Sequence, residues 1–541
     1  MMINLTAGIL SLLLFLLSEK DSFFLVEALL LFAVGVLIPL CFPLINDVDR
    51  NGKRQPTMVL IRRLYFIAPL SVAAAFLLDI EGLYLIWVLF TLLLAAAAVL
   101  RVLERGVQII EETAIDTAFL YLPLGSLWLL AYGMKFDVLG FSGLIVLLTA
   151  IHFHYSAFAI PLFTGMLKRR TTSFQTLHNS IAVIVIASPM TIALGITYSD
   201  FLEFTSVLIY TVAIYLYAFL VFKYKWKSYA GKIPVILSSV ILISTISFSL
   251  VYSFGAVTPF STLTISEMIY IHGLTNAIGV TLLGLIGWNI ERPTPPYNHL
   301  GKPFSLIRGG EVIGFNFLSN NGLLSEKKYQ GLTDRMSVYK SEHFVPSELH
   351  PLIADFYENT NDYQLKAVIK WKKWFYPLAA VYEWISRRTG QIHLGRGGKE
   401  ESMYGDLIGV KALSDGRPEV RAWRRTNEKG EPVFLALYSH HRSMGETYMN
   451  IALPLPFSSM TGILKARNRG NGLLLTSRLR SSKCGDEGIY ISFCSIHIRL
   501  PLTESFLLNE TSESTLAAHH QMWIFGVPFL EITYHIRKTS L

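Results

Sequence analysis

Four histidines of this 541-residue chain stand in stretches apolar enough to sit in lipid: His152, His154, His178 and His272. An ionisable side chain inside a membrane must find a partner or cost free energy, so each is a candidate functional group by default. The densest cluster runs from Ile151 to Pro161 and holds His152, His154, Tyr155 and Ser156. On a helix His152 and Tyr155 share a face, whereas His152 and His154 point about 200° apart. In a second cluster His272 and Asn276 are one turn apart, beside the small-residue pair Gly273 and Ala277, which lets another helix approach closely.

Three chemistries suit such residues. Each histidine could bond a neighbouring helix and fix packing. A subset (His152 or His154, with Tyr155, His272 and Asn276) could line a polar substrate cavity. Or two could hold a metal or haem. At a rise of about 1.5 Å per residue, His178 and His272 are roughly 20 Å apart in depth and cannot share one ion.

Further on, His440-His441 and His519-His520 could add metal ligands with Cys484 or Glu446. Adjacent strand residues face opposite ways, so each pair offers one ligand per face. The segment Gly395–Glu400 lacks the spacing of a phosphate loop, and neither GxGxxG nor HExxH occurs. No catalytic residue, metal site or cofactor is assigned.

The elements that position these residues follow from composition. The chain is 52% hydrophobic with mean hydropathy +0.44, and the first 290 residues carry nearly all of the excess. A span needs about 20 apolar residues, and roughly ten stretches meet that criterion. They lie near 3–18, 23–45, 58–78, 83–103, 114–134, 139–166, 175–197, 202–222, 234–254 and 267–288. The first is short and is read as a retained span, since Glu19-Lys20-Asp21 and no small-residue cleavage site follows it. The third carries Arg62 and Arg63 near its start.

Every even-numbered loop is basic: Arg50, Lys53, Arg54, Arg62 and Arg63, then Arg101 and Arg105, then Lys168–Arg170, then Lys223–Lys232. By the positive-inside rule both the N-terminus and the C-terminal domain are expected in the cytoplasm. The net charge of +8 is thereby explained without nucleic acid. Three cysteines without a CxxC suit a reducing compartment.

The expected architecture is a helical membrane domain of about ten spans over 1–289, a proline-rich linker and domain entry over 290–346, and a cytosolic α+β domain over 347–541. In that domain Ser347 reads as a helix cap. The stretch 365–388 mixes Lys370, Lys372 and Lys373 with Trp371 and Trp374, which suits an amphipathic helix on the anionic leaflet. Its alternative is a helix covering the following sheet. From about residue 405 the pattern turns to period two, with a hairpin signal at Asn468–Gly472. A many-stranded antiparallel sheet is expected.

Three features together resemble the YndJ-like bacterial membrane proteins: the run His152–Pro161, the run His272–Gly279, and His350–Tyr357 in the C-terminal domain. The resemblance implies a bacterial plasma-membrane protein and supplies no activity and no catalytic residue. The residues themselves favour a non-enzymatic protein that binds or moves an apolar or amphipathic small molecule, a lipid among the candidates. A histidine-dependent metal or haem enzyme, and a scaffold whose cytosolic domain binds a protein partner, are the alternatives.

Overall fold

The computed structural model describes residues 2–18, 23–48, 54–107, 109–171, 173–260, 263–295, 302–396, 398–443, 445–478, 485–494 and 496–539. Lys20, Arg50, Lys53, Cys484 and linker residues 296–301 lie outside them. The chain divides into two compact units, Met1–Leu300 and Gly301–Leu541.

Among the described residues of the first unit, eight helices are long and apolar enough to cross a membrane. The helices of this unit are α1 (Met2–Leu16), α2 (Phe24–Leu44), α3 (Pro56–Leu64), α4 (Ile67–Leu78), α5 (Glu81–Arg105), α6 (Ile110–Gly133), α7 (Leu144–Lys168), α8 (Gln175–Tyr198), α9 (Asp200–Lys223), α10 (Tyr229–Val257) and α11 (Ile265–Glu291). Helices α3 and α4 meet at 44° and make a ninth span if taken as one. Pro69 accounts for the break, because it lacks the N–H that would bond the Tyr65 carbonyl. The first expected segment, α1, has 15 residues, fewer than the about 20 that a perpendicular span requires.

The basic loops meet at one end of this bundle, and most of their charges are paired there. Arg101 and Arg105 share Asp116 at 2.6 and 2.7 Å, all three buried. Arg169 grips Glu112 with two bonds of 2.6 and 2.9 Å and also donates to the Leu44 carbonyl. Arg170 meets Glu291, Arg62 meets Asp47, and the Lys227 backbone donates to Glu291. These bonds tie the ends of α2, α5, α7 and α11 to the start of α6.

The second unit is built on twelve strands: β1 (Tyr363–Trp371), β2 (Glu400–Gly409), β3 (Arg421–Thr426), β4 (Pro432–Ser443), β5 (Glu446–Leu455), β6 (Ser458–Arg469), β7 (Gly472–Thr476), β8 (Gly488–Phe493), β9 (Ile496–Arg499), β10 (Leu502–Ser512), β11 (Thr515–Ile524) and β12 (Val527–Lys538). All pairings between them are antiparallel. The expected antiparallel sheet is present, and it closes on itself. Strand β12 returns to β1, with Lys538 opposite Tyr363, and β6 bridges β5 and β7. Ten strands thus form an up-and-down barrel, while the β8–β9 hairpin extends from β6. Helix α12 (Pro351–Glu358) buries Ile353, Phe356 and Tyr357, and helix α13 (Tyr376–Thr389) follows β1.

Three local expectations are corrected. Residues 365–371 are strand and not helix: Leu365, Ala367 and Ile369 are buried while Lys366 and Lys370 are exposed, a period of two. The helix of that stretch begins at Tyr376, and Pro377 sits in its first turn, where its missing N–H costs nothing, so it does not kink the helix. Helix α12 is capped by His350, whose Nδ1 accepts from Leu352 N at 3.4 Å, and not by Ser347. The hairpin at 468–472 stands as read: Arg469 pairs with Gly472 across Gly470 and Asn471, and Gly470 takes φ +63°.

Candidate ligand-binding cavity

Alternation along the barrel strands sends every second side chain inward. Ile532, Tyr534 and Ile536 enter from β12, Glu504, Phe506 and Leu508 from β10, Ala518, His520 and Met522 from β11. They enclose a cavity of about 150 Å³. Its wall is mostly Leu, Ile, Met and aromatic side chains, and Phe356 and Tyr357 of α12 contribute to it. Gly462 on β6 leaves the room that the Glu504 carboxylate fills, since a Cβ there would lie 2.7 Å from Oε1.

Polar side chains also line this mostly apolar space, among them Tyr357, Arg425, Tyr438, Glu504, His520 and Tyr534. Glu504 and His520 satisfy each other, with His520 Nε2 3.0 Å from Glu504 Oε2. The His520 ring stacks on Phe506 at 3.7 Å, and its Nδ1 has no partner. Burial pushes the Tyr438 and Tyr534 phenols up, so both remain protonated hydroxyls near neutral pH.

Arg425 differs. It is 7% exposed, its Nε has no partner among the described residues, Nη1 reaches the Met403 sulfur at 3.9 Å, and the guanidinium also bonds the Tyr534 hydroxyl. Its guanidinium lies over Trp423 and Phe434 at 4.4 and 4.3 Å. Among the described residues no carboxylate stands within ion-pair distance of it.

None of these groups was singled out from the sequence as a cavity residue, except that His520 was weighed as a metal ligand. The signal for Arg425 was its spacing from Trp423, which puts a charge at an inward position of a strand.

The intramembrane candidates separate into two kinds. His154 is fully buried and doubly bonded: Trp87 Nε1 donates to its Nε2 at 3.0 Å, and its Nδ1 donates to the Ala150 carbonyl at 2.7 Å. Tyr155 donates to the Leu29 carbonyl at 2.6 Å. Both sites are closed. His152 bonds the Leu148 carbonyl at 2.7 Å and keeps accessible surface, and it lies within electrostatic range of His272. His272 Nδ1 meets the Thr245 carbonyl at 3.0 Å and Ser249 at 3.1 Å, while Asn276 accepts from Thr245 at 2.7 Å. His178 is buried with Nε2 unpartnered, apart from this group.

On the surface of the second unit, Trp374 is 50% exposed, and Lys370 and Lys373 are exposed. Lys372 pairs with Glu531 at 2.8 Å, and Trp371 turns in to stack on Phe375 at 5.6 Å. The exposed apolar face continues along α13 through Leu378, Val381, Trp384 and Ile385.

The histidine pairs split between faces as expected. His441 bonds Asn450 and Asp486, both at 2.9 Å, and Glu446 pairs with Lys465. Among the described residues no group of three or more His, Cys, Asp or Glu is arranged to hold a metal ion.

Comparison with known proteins agrees with this architecture. The family model for YndJ-like proteins matches residues 28–280. The chain is 44% identical over 522 residues to a Bacillus subtilis (strain 168) protein described as the uncharacterized membrane protein YndJ, covering 96% of each chain. No solved structure matches.

Proposed function

Taking as premise that the chain belongs to the YndJ-like protein family, we propose that this multi-pass membrane protein binds or moves an apolar or amphipathic small molecule of lipid class. The enclosed barrel cavity carries the reading. Small barrels have interiors that hold one small ligand, and this cavity of about 150 Å³ joins a mostly apolar wall to a few polar groups, as small-molecule sites do. An apolar ligand gains dispersion contacts along such a wall.

In this reading the exposed Trp374, with Lys370 and Lys373 near it, contacts an anionic leaflet, and Trp371 and Lys372 hold that segment against the barrel. His152, His272 and Asn276 line a polar route between helices, and His154 and Tyr155 fix the helices beside it. The basic loop ends support a cytoplasmic N-terminus and a cytoplasmic barrel in the plasma membrane.

Native mass spectrometry of the intact protein in mild detergent tests the proposal. Wild-type protein is expected to retain a discrete apolar mass. Ala518→Phe, which fills the cavity from β11, is expected to lose it while remaining folded. Retention of the same mass by Ala518→Phe rejects the barrel as the binding site. His152→Ala and His272→Ala are expected to lower occupancy without unfolding the protein.

A further inference from the structure

We infer that the barrel's ligand is an anionic amphiphile, a short- to medium-chain acyl carboxylate, whose head is held by Arg425 beside Tyr534. The inference rests on the cavity reading above and names what that cavity selects.

The argument starts from an unbalanced charge. A guanidinium stays charged inside proteins and offers five N–H donors in a planar fork. Arg425 is more than nine-tenths buried, and its side chain borders the cavity. Its Nε has no acceptor among the described residues, Nη1 reaches a thioether, and its other side-chain partner is the neutral Tyr534 hydroxyl, so no anion balances it. Aromatic faces at 4.3 and 4.4 Å satisfy the cation partly, since ring quadrupoles attract it but accept no strong hydrogen bond. Burying an ion without a counterion costs several kcal/mol.

The interior carboxylate does not repay that cost. Glu504 is committed to His520 Nε2, and it makes no ion pair with Arg425. The group that fits is therefore one the ligand brings. A carboxylate matches the guanidinium fork with two parallel bonds. Tyr534 adds a protonated hydroxyl close by, its ring 5.9 Å from the guanidinium carbon. The Leu, Ile and Met wall receives the chain, and the cavity volume of about 150 Å³ suits a short one.

The test uses the full chain in nanodiscs of zwitterionic lipid, titrated calorimetrically with octanoate, octanol and octyl phosphate, with empty nanodiscs subtracted. Wild-type protein is expected to bind octanoate about tenfold or more tighter than octanol. Arg425→Met keeps the volume and removes the charge. It is expected to weaken octanoate about thirtyfold, to leave octanol unchanged, and to raise the melting temperature of the ligand-free protein. Arg425→Lys, charged but without the fork, is expected to fall between. It serves as the test variant if Arg425→Met does not fold.

Equal binding of octanoate and octanol by wild type and variant overturns the anion anchor and leaves the cavity reading intact. No binding of any of the three by wild type overturns the cavity reading itself. Tighter binding of octyl phosphate than octanoate replaces the carboxylate with a phosphate head. A lower melting temperature for ligand-free Arg425→Met makes Arg425 a structural cation and overturns the inference.

Discussion

Both units bury arginine beside carboxylates, and the barrel cavity holds one arginine that is treated differently. In the bundle, Arg101 and Arg105 close on Asp116, and Arg169 closes on Glu112 through two bonds. In the second unit Arg417 and Arg421 pair with Asp415 and Asp334 in the same way, whereas Arg425 at the cavity lies against aromatic rings, with no carboxylate in ion-pair distance among the described residues. Among histidines, His154 of the bundle and His441 of the barrel have both ring nitrogens bonded, whereas His520 at the cavity has no partner for Nδ1 among the described residues. A polar group whose bonds are complete is holding helices together. One whose bonds are incomplete inside a cavity is waiting for something that completes them.

The largest expected effect comes from breaking the closed side. Asp116→Ala strands two buried cations and is expected to cost about 3–5 kcal/mol, read as a large fall in thermal stability in detergent. If it melts like wild type, pairing in the bundle is not what stabilises it, and the contrast with Arg425 loses its meaning. Trp87→Phe removes one donor and leaves His154 Nε2 buried without a partner. It is expected to cost about 1–3 kcal/mol by the same assay. Gly462→Ala pushes a Cβ against the Glu504 carboxylate. It is expected to cost about 1–3 kcal/mol through overpacking and to disturb the barrel alone, which hydrogen exchange resolves strand by strand.

The smallest effect is a pH dependence in the second unit. His497 is held down to about 4 from the ordinary 6.5 by burial, with Arg308 and Lys302 adding repulsion. Its neutral ring bonds Ser492 at 2.8 Å and stacks on Phe304 at 4.2 Å. Below pH 6.5 the unfolded chain takes up this proton and the folded chain does not, so the contribution is present above 6.5 and lost as pH falls toward 4. Thermal unfolding of His497→Gln is expected to fall less steeply than wild type across that window. Parallel curves would place the acid sensitivity elsewhere.

Much of this was legible from residues alone, and the misreadings have physical causes. The two weakest expected spans, the first and the third, are the ones that form a short helix and a broken one. Arg62 reads as a charge in an apolar run, but its guanidinium bonds Asp47 and the Phe42 carbonyl. Strand β1 was taken for helix because Lys366, Lys370, Trp371 and Trp374 satisfy a period of 3.6 as well as one of 2. Strand β10 was passed over because Glu504 puts a charge at an inward position and spoils the alternation.

Sequence by itself determined that the chain spans a membrane several times, where the loop charges gather, and that an antiparallel sheet follows. Those properties depend on local composition and on periods of a few residues, which lie open in one dimension. Closure of the sheet required β12 to return to β1 across more than a hundred and fifty residues. Which buried charges found partners depended on elements brought together by that packing. Arg425 and Asp116 look equally out of place in a string of letters. Only the tertiary structure gave Asp116 its counterions and set Arg425 against the barrel cavity.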